Sequence, residues 1–171
     1  MVAQQVAVRP LESAVWAALH DVHDPEIPTI SVVDLGVVRS VAAEEGRIRV
    51  ELLPTFVGCP AIDVMRQSVE DRLREFAVEV NVDISFAEPW TTERVTDEGR
   101  VALRAAGFAP PQRSHGDSNR ILSVLPQLPV GECPYCGSSN TTLENAFGPT
   151  LCRAIYHCAD CRQPFEQFKE V

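Results

Sequence analysis

Val78-Glu79-Val80-Asn81-Val82-Asp83-Ile84-Ser85-Phe86 alternates apolar and polar side chains without a break, and a period of two marks a strand with one buried face. Upstream, Ile48, Val50 and Leu52 alternate with Arg47, Arg49 and Glu51. Residues 37–41, the Glu44-Glu45-Gly46 turn and residues 47–53 therefore read as a hairpin. Between hairpin and strand, Ile62, Met65, Val69, Leu73 and Phe76 recur at helical spacing over residues 61–76, with Asp63, Arg66, Glu70 and Arg74 on the rest of the cylinder. Leu11, Val15, Ala18, Leu19 and Val22 make a similar stripe over residues 10–22. Pro10 suits the first turn of that helix, and Asp24-Pro25-Glu26-Ile27-Pro28 forbids its continuation. A shorter helix is expected over residues 92–106, closed by Gly107, although Gly99 inside it weakens the pattern. The order helix, strand, strand, helix, strand, helix predicts an α+β fold, a small mixed sheet with helices packed on it.

After Phe108 the texture changes. Residues 109–131 hold Pro110, Pro111, Pro126 and Pro129 among Ser, Gly, Asn and Asp, the composition of a linker, within which residues 121–125 could pack as an extended strand. The chain thus divides into an α+β domain over 10–108, a proline-rich linker over 109–131 and a cysteine-rich module over 132–171. Five of the six cysteines fall in that last module, and Cys59 stands alone upstream. A disulfide framework would spread its cysteines through the fold.

Cys133-Pro134-Tyr135-Cys136-Gly137 and Cys158-Ala159-Asp160-Cys161 are two C-x2-C pairs with 21 residues between Cys136 and Cys158. Two residues between thiols let both sulfurs of one turn face a single ion, and two such turns close a tetrahedral four-thiolate site. Cys133, Cys136, Cys158 and Cys161 are the metal ligands this spacing predicts, in a zinc-ribbon β module. A structural zinc stabilises a module with little core of its own. Four thiolates also hold iron, which would make the chain an electron carrier, and that alternative stays open at this point. His157 abuts Cys158 but is not needed as a ligand. Cys152 is either a small buried side chain or an extra thiolate near the ribbon surface.

The net charge of −9, from 15 basic and 24 acidic side chains, opposes binding to nucleic acid, because phosphate contacts need a basic face. The same holds within residues 132–171, where three basic side chains face five acidic ones. Apolar stretches are short and broken by charge, so no membrane span is expected. Residues 1–10 lack the basic and apolar regions of a secretory signal, and a cytoplasmic location is the expectation.

Cys59 lies in Thr55-Phe56-Val57-Gly58-Cys59-Pro60, just ahead of the helix at 61–76. A helix N-terminus favours a thiolate there, and packing against the sheet is the plainer reading. Asp24 and Asp34 lie at element ends, either as turn residues accepting backbone hydrogen bonds or as the rim of a pocket around Cys59. His20 and His23 are placed to meet the carbonyl end of the first helix.

Asp24-Pro-Glu-Ile-Pro28, Ser31-Val-Val-Asp34-Leu-Gly-Val-Val38 and Thr55-Phe-Val-Gly-Cys59-Pro60, in this order, resemble the SufT-like iron–sulfur assembly domain family over residues 11–86. With the linker and a ribbon carrying Phe147-Gly-Pro-Thr-Leu-Cys152-Arg-Ala-Ile-Tyr-His-Cys158, nearly the whole chain resembles the PaaD family of accessory subunits encoded with bacterial phenylacetyl-CoA epoxidase. The resemblance implies a role in aerobic phenylacetate catabolism, as a maturation factor rather than an enzyme. Its partners would be the di-iron oxygenase or the flavin and iron–sulfur reductase of that complex. It links Cys59 to transient iron or iron–sulfur cluster handling, with Asp34 and Thr55 in its surroundings. One thiolate does not hold a cluster alone, so a homodimer, a partner or Cys152 would complete the ligand set. No Glu-x-x-His pair, Gly-x-Gly-x-x-Gly turn or ferredoxin cysteine run is present, so no complete catalytic constellation is found.

Overall fold

A computed structural model of the protein describes residues 2–44, 46–76, 79–111 and 131–169. These group into two compact units, Met1–Gly99 and Arg100–Val171. In the first, α1 (Val2–Leu19) is followed by β1 (Val38–Glu44), β2 (Arg47–Leu52), α2 (Ile62–Leu73) and β3 (Glu79–Ile84). The sheet order is β1-β2-β3, with β1 antiparallel to β2 and β2 parallel to β3. This is the mixed sheet of an α+β fold, and α2 is the crossover that a parallel pair requires. Helix α1 packs on β1, α2 on β3, and the helices on each other.

The burial follows the sequence periods. Ile48, Val50 and Leu52 of β2 are fully buried while Arg47 and Arg49 face solvent. Ile62, Met65, Val69 and Leu73 form the buried stripe of α2, and Val15, Ala18 and Leu19 that of α1. Burying such aliphatic side chains is worth about 1.5–3 kcal/mol each, and this stripe-on-sheet contact is the unit's main stabilisation.

Three expectations are corrected. Helix α1 spans Val2–Leu19 rather than residues 10–22, so Pro10 lies inside it, where it removes one ladder hydrogen bond. The strand expected over 78–86 spans Glu79–Ile84. Its partner β2 ends at Leu52, paired with Ile84, and Phe86, with no strand left to pair, is 66% exposed. The helix expected over 92–106 is divided: Thr92–Arg94 is a 3₁₀ turn and α3 spans Asp97–Ala105. Thr96 causes the break by capping α3, its Oγ1 accepting the Gly99 N–H at 2.9 Å. Gly107, at φ +85°, ends α3 as expected.

The segment around α3's start is stapled to the loop after α1. Trp90 Nε1 donates to the Leu35 carbonyl at 3.1 Å and Arg94 Nε to the Gly36 carbonyl at 2.9 Å. Thr96 N–H donates to the Asp34 carbonyl at 3.0 Å. Gly99 explains itself in this setting: a Cβ there would stand 2.4 Å from the Asp34 carbonyl oxygen.

The second unit is a four-stranded sheet in the order β4-β7-β6-β5, from β4 (Phe108–Ala109), β5 (Thr141–Asn145), β6 (Arg153–Cys158) and β7 (Pro164–Phe168). Strand β4 runs parallel to β7; β5, β6 and β7 are antiparallel. Among the described residues its central cluster is Ala109, Cys133, Ala154, Tyr156, Cys158 and Phe165, with Tyr156 stacked on Phe165 at 5.7 Å. Arg153 is buried, paired with Glu166 at 2.9 Å and lying over the Phe108 ring. Most of the proposed linker, including the expected strand at 121–125, lies outside the described residues.

Gly99→Ala is expected to destabilise the first unit by about 1–3 kcal/mol, because backbone must move to admit the methyl group. Denaturant titration checks it; an unchanged midpoint contradicts the close approach.

Candidate metal centre and a second thiol site

The two C-x2-C turns are built alike. Gly137 N–H donates to the Cys133 carbonyl at 2.9 Å, and Arg162 N–H to the Cys158 carbonyl at 2.9 Å. Cys133 N–H donates to the Ser138 carbonyl at 2.9 Å and Cys158 N–H to that of Gln163 at 3.0 Å. Both turns need a left-handed residue just after the second cysteine. Gly137 supplies it at φ +74° and Arg162 at φ +61°, the one non-glycine with positive φ among the described residues.

Repetition of this turn gathers Cys133, Cys136, Cys158 and Cys161, whose sulfurs all lie within 4.8 Å of one another. Cys133 and Cys161 are 3.6 Å apart, as are Cys136 and Cys158. A tetrahedral ion with metal–sulfur bonds of about 2.3 Å has sulfur–sulfur edges of about 3.8 Å, so the four thiols fit a zinc-sized ion. Cys133 and Cys158 are buried, Cys161 is half-buried and Cys136 is exposed. Burial pushes the Cys161 thiol up to about 12, whereas backbone N–H groups, first that of Cys161, pull the Cys158 thiol down to about 7. Four thiols this close do not all ionise unaided; a dication among them replaces their protons. His157 is not in the group.

Cys152 is buried just before β6 with its sulfur 3.1 Å from Thr150 Oγ1, outside the four-sulfur group.

In the first unit, Thr55 and Cys59 are both buried, and the Thr55 hydroxyl points at the Cys59 sulfur at 3.8 Å. The loop carrying them turns through Gly58, at φ +88°, with Cys59 N–H donating to the Phe56 carbonyl. Its tip, Val57, is 84% exposed. Cys59 precedes the first helical residue, Ile62, and its carbonyl accepts the Ile62 N–H at 3.4 Å.

Asp34 has a different set of partners. Its Oδ2 accepts from Ser31 Oγ at 2.6 Å and lies 3.4 Å from His20 Nδ1, and its Oδ1 accepts from Thr96 Oγ1 at 2.9 Å. Burial raises its pKa, but the hydroxyls of Ser31 and Thr96 and the imidazole of His20 outweigh that and hold it below the ordinary value. His20 therefore faces a carboxylate rather than helix carbonyls, while His23 Nδ1 lies 3.1 Å from the Asp21 carbonyl. Asp24 is a turn residue, its Oδ1 accepting the N–H groups of Glu26 and Ile27 at 2.7 and 2.8 Å. Sequence reading gave no role to Ser31 or Thr96. A Ser three residues before Asp34 was a visible signal of local bonding; Thr96, 62 residues away, carried none.

Residues 12–85 match the family model for iron-sulfur cluster assembly proteins, and residues 124–169 match the PaaD zinc beta ribbon domain. Fold and site together define a two-part protein, an iron–sulfur assembly type α+β domain carried in one chain with a zinc ribbon. Over 161 residues the chain is 35% identical to an Escherichia coli K12 protein whose provisional name makes it a subunit of 1,2-phenylacetyl-CoA epoxidase, covering 94% of this chain and 93% of that one. The chain belongs to the PaaD family, that of this epoxidase subunit. It is also 30% identical over 97 residues to an Fe-S protein maturation auxiliary factor of Porphyromonas gingivalis, covering 54% of this chain and 90% of that one. The crystal structure of a DUF59 domain from Bacillus anthracis superposes with a TM-score of 0.54 at 27% identity, covering 58% of this chain and 96% of that chain. No described helix is long and apolar enough to cross a membrane.

At the left-handed position the twin turns carry different residues, Gly137 and Arg162, which gives a reciprocal prediction. A Cβ at Gly137 meets nothing within 4 Å, so Gly137→Ala should cost only the left-handed backbone strain, about 1–2 kcal/mol. Arg162→Gly should relieve that strain and raise stability by up to about 1 kcal/mol, part of the gain being lost to glycine's freedom in the unfolded chain. Denaturant midpoints of the metal-loaded protein check both; two changes of the same sign contradict the matched turns.

Proposed function

We propose that this chain is an accessory maturation subunit of a bacterial phenylacetyl-CoA 1,2-epoxidase, acting in the cytoplasm during aerobic phenylacetate catabolism. It assists assembly of an iron–sulfur or iron centre in the reductase or the di-iron oxygenase and does no catalysis of its own. The observation that carries this reading is the Thr55–Cys59 pair, a buried thiol under a hydroxyl donor in the loop whose tip, Val57, is exposed, in a domain of the iron–sulfur assembly type. Iron or a cluster is cargo here, held transiently. Cys59 supplies a thiolate ligand, and the Thr55 hydroxyl steadies the charge on its sulfur. Asp34 acts at one remove, tying the loop after α1 to Thr96 through the Ser31 and Thr96 hydroxyls. A partner's thiolates, or those of a second copy, complete the ligand set.

The ribbon has a separate duty. Cys133, Cys136, Cys158 and Cys161 hold zinc, which closes the fold of the second unit and leaves its outer surface for docking. We read the organisation as an assembly domain over 10–108, a linker over 109–131 and a ribbon over 132–171, with the short strand Phe108–Ala109 joining the ribbon sheet.

The test is reconstitution of the apo reductase and apo oxygenase with iron and sulfide. Wild-type protein should raise the loading of one client and Cys59→Ala should lose most of that gain, while the variant keeps wild-type folding and zinc content. Equal loading by both proteins sinks the role of Cys59.

A further inference from the structure

Asp160 lies between the two ligands of the second knuckle, but its side chain turns to the first. Its Oδ2 accepts from Ser138 Oγ at 2.5 Å and its Oδ1 from Asn140 Nδ2 at 2.8 Å. Ser138 Oγ in turn accepts the Asn140 N–H at 3.0 Å, and Ala159 N–H donates to the Asn140 carbonyl at 2.9 Å. The Ser138 carbonyl receives the Cys133 N–H, so the chain held by Asp160 is the chain that aims the first ligand. β5 begins next, with Thr141 opposite Cys158. One carboxylate therefore ties the end of the first knuckle to the middle of the second.

Electrostatics alone disfavours a carboxylate here. An anion close to four sulfurs opposes their ionisation, and removing it would ease that repulsion. Geometry gives it a purpose. Each C-x2-C turn aims two sulfurs, but nothing within either turn fixes its distance from the other. Asp160 does so with both of its oxygens, and hydrogen bonds to a charged acceptor are the stronger kind.

We propose that Asp160, through Ser138 and Asn140, is a positioning residue for the ribbon's metal, holding the two knuckles in register so that the four sulfurs are gathered before the ion binds. This rests on the reading that the four cysteines hold zinc. Groups that orient ligands in this way typically contribute about 10–100-fold in metal affinity.

The experiment uses the full chain with zinc and cobalt as probes. Zinc affinity and release rate are measured by chelator competition for wild type, Asp160→Ala, Ser138→Ala and the double variant, with circular dichroism of each zinc-loaded protein as the check on folding. At least about tenfold weaker zinc binding and faster release are expected for Asp160→Ala, with an unchanged four-thiolate cobalt spectrum. The double variant should lose no more than the larger single loss, because both changes break one brace. Ser138→Thr, which keeps the hydroxyl, should restore most of the affinity lost in Ser138→Ala. Wild-type affinity and release in Asp160→Ala, or additive losses in the double variant, would overturn the proposal while leaving the zinc reading intact. A wild-type chain that binds neither zinc nor cobalt would overturn both.

Discussion

Cys133 and Cys158 are fully buried core atoms and also half of a four-sulfur cluster. Everything else about the second unit depends on that double duty. Among the described residues its central cluster is small and includes two of the cysteines themselves, little for hydrophobic burial alone to stabilise. Thiols this close compete for protons or share a cation, and a cation among them would bond to both turns at once. A metal held by all four sulfurs would couple the stability of the ribbon to metal binding. The matched turns, the Asp160 tie and the stacking of Tyr156 on Phe165 all act around that centre.

The first unit is under a different constraint. Its aliphatic core is continuous from α1 through the sheet to α2. Its polar junction is Asp34, where both carboxylate oxygens and the carbonyl join His20, Ser31 and Thr96. That junction fixes the loops without drawing on Cys59. The sulfur of Cys59 is buried with the Thr55 hydroxyl 3.8 Å away, apart from the hydrogen bonds of Asp34.

Legibility in the sequence followed range. Periods of two and 3.6 gave β2, β3 and α2, because one face of each is packed and the other is not. The C-x2-C spacing singled out the four cysteines whose sulfurs the fold gathers, because each turn is a local object. Three features were hidden. Pro10 reads equally well as a helix start and as a tolerated interior residue. Gly99 reads as a weakness in a helix and is instead required by the Asp34 carbonyl, a contact across more than sixty residues of chain (99 − 34 = 65). Arg162 gives no hint that it takes the backbone shape glycine takes at 137. Asp34 was named for its motif, yet its partners were not foreseeable, since Thr96 and His20 are brought to it only by the fold.

The central claim is that two thiol sites in one chain have separate duties, a resident zinc at the ribbon and transient chemistry at Cys59. Elemental analysis and visible absorption of the anaerobically purified wild type, Cys59→Ala and Cys133→Ser proteins test it most directly. The account predicts stoichiometric zinc in wild type and in Cys59→Ala, its loss in Cys133→Ser, and no iron absorption from the ribbon. Stoichiometric iron with visible absorption that disappears in Cys133→Ser would contradict it, and would make the ribbon an electron-transfer centre.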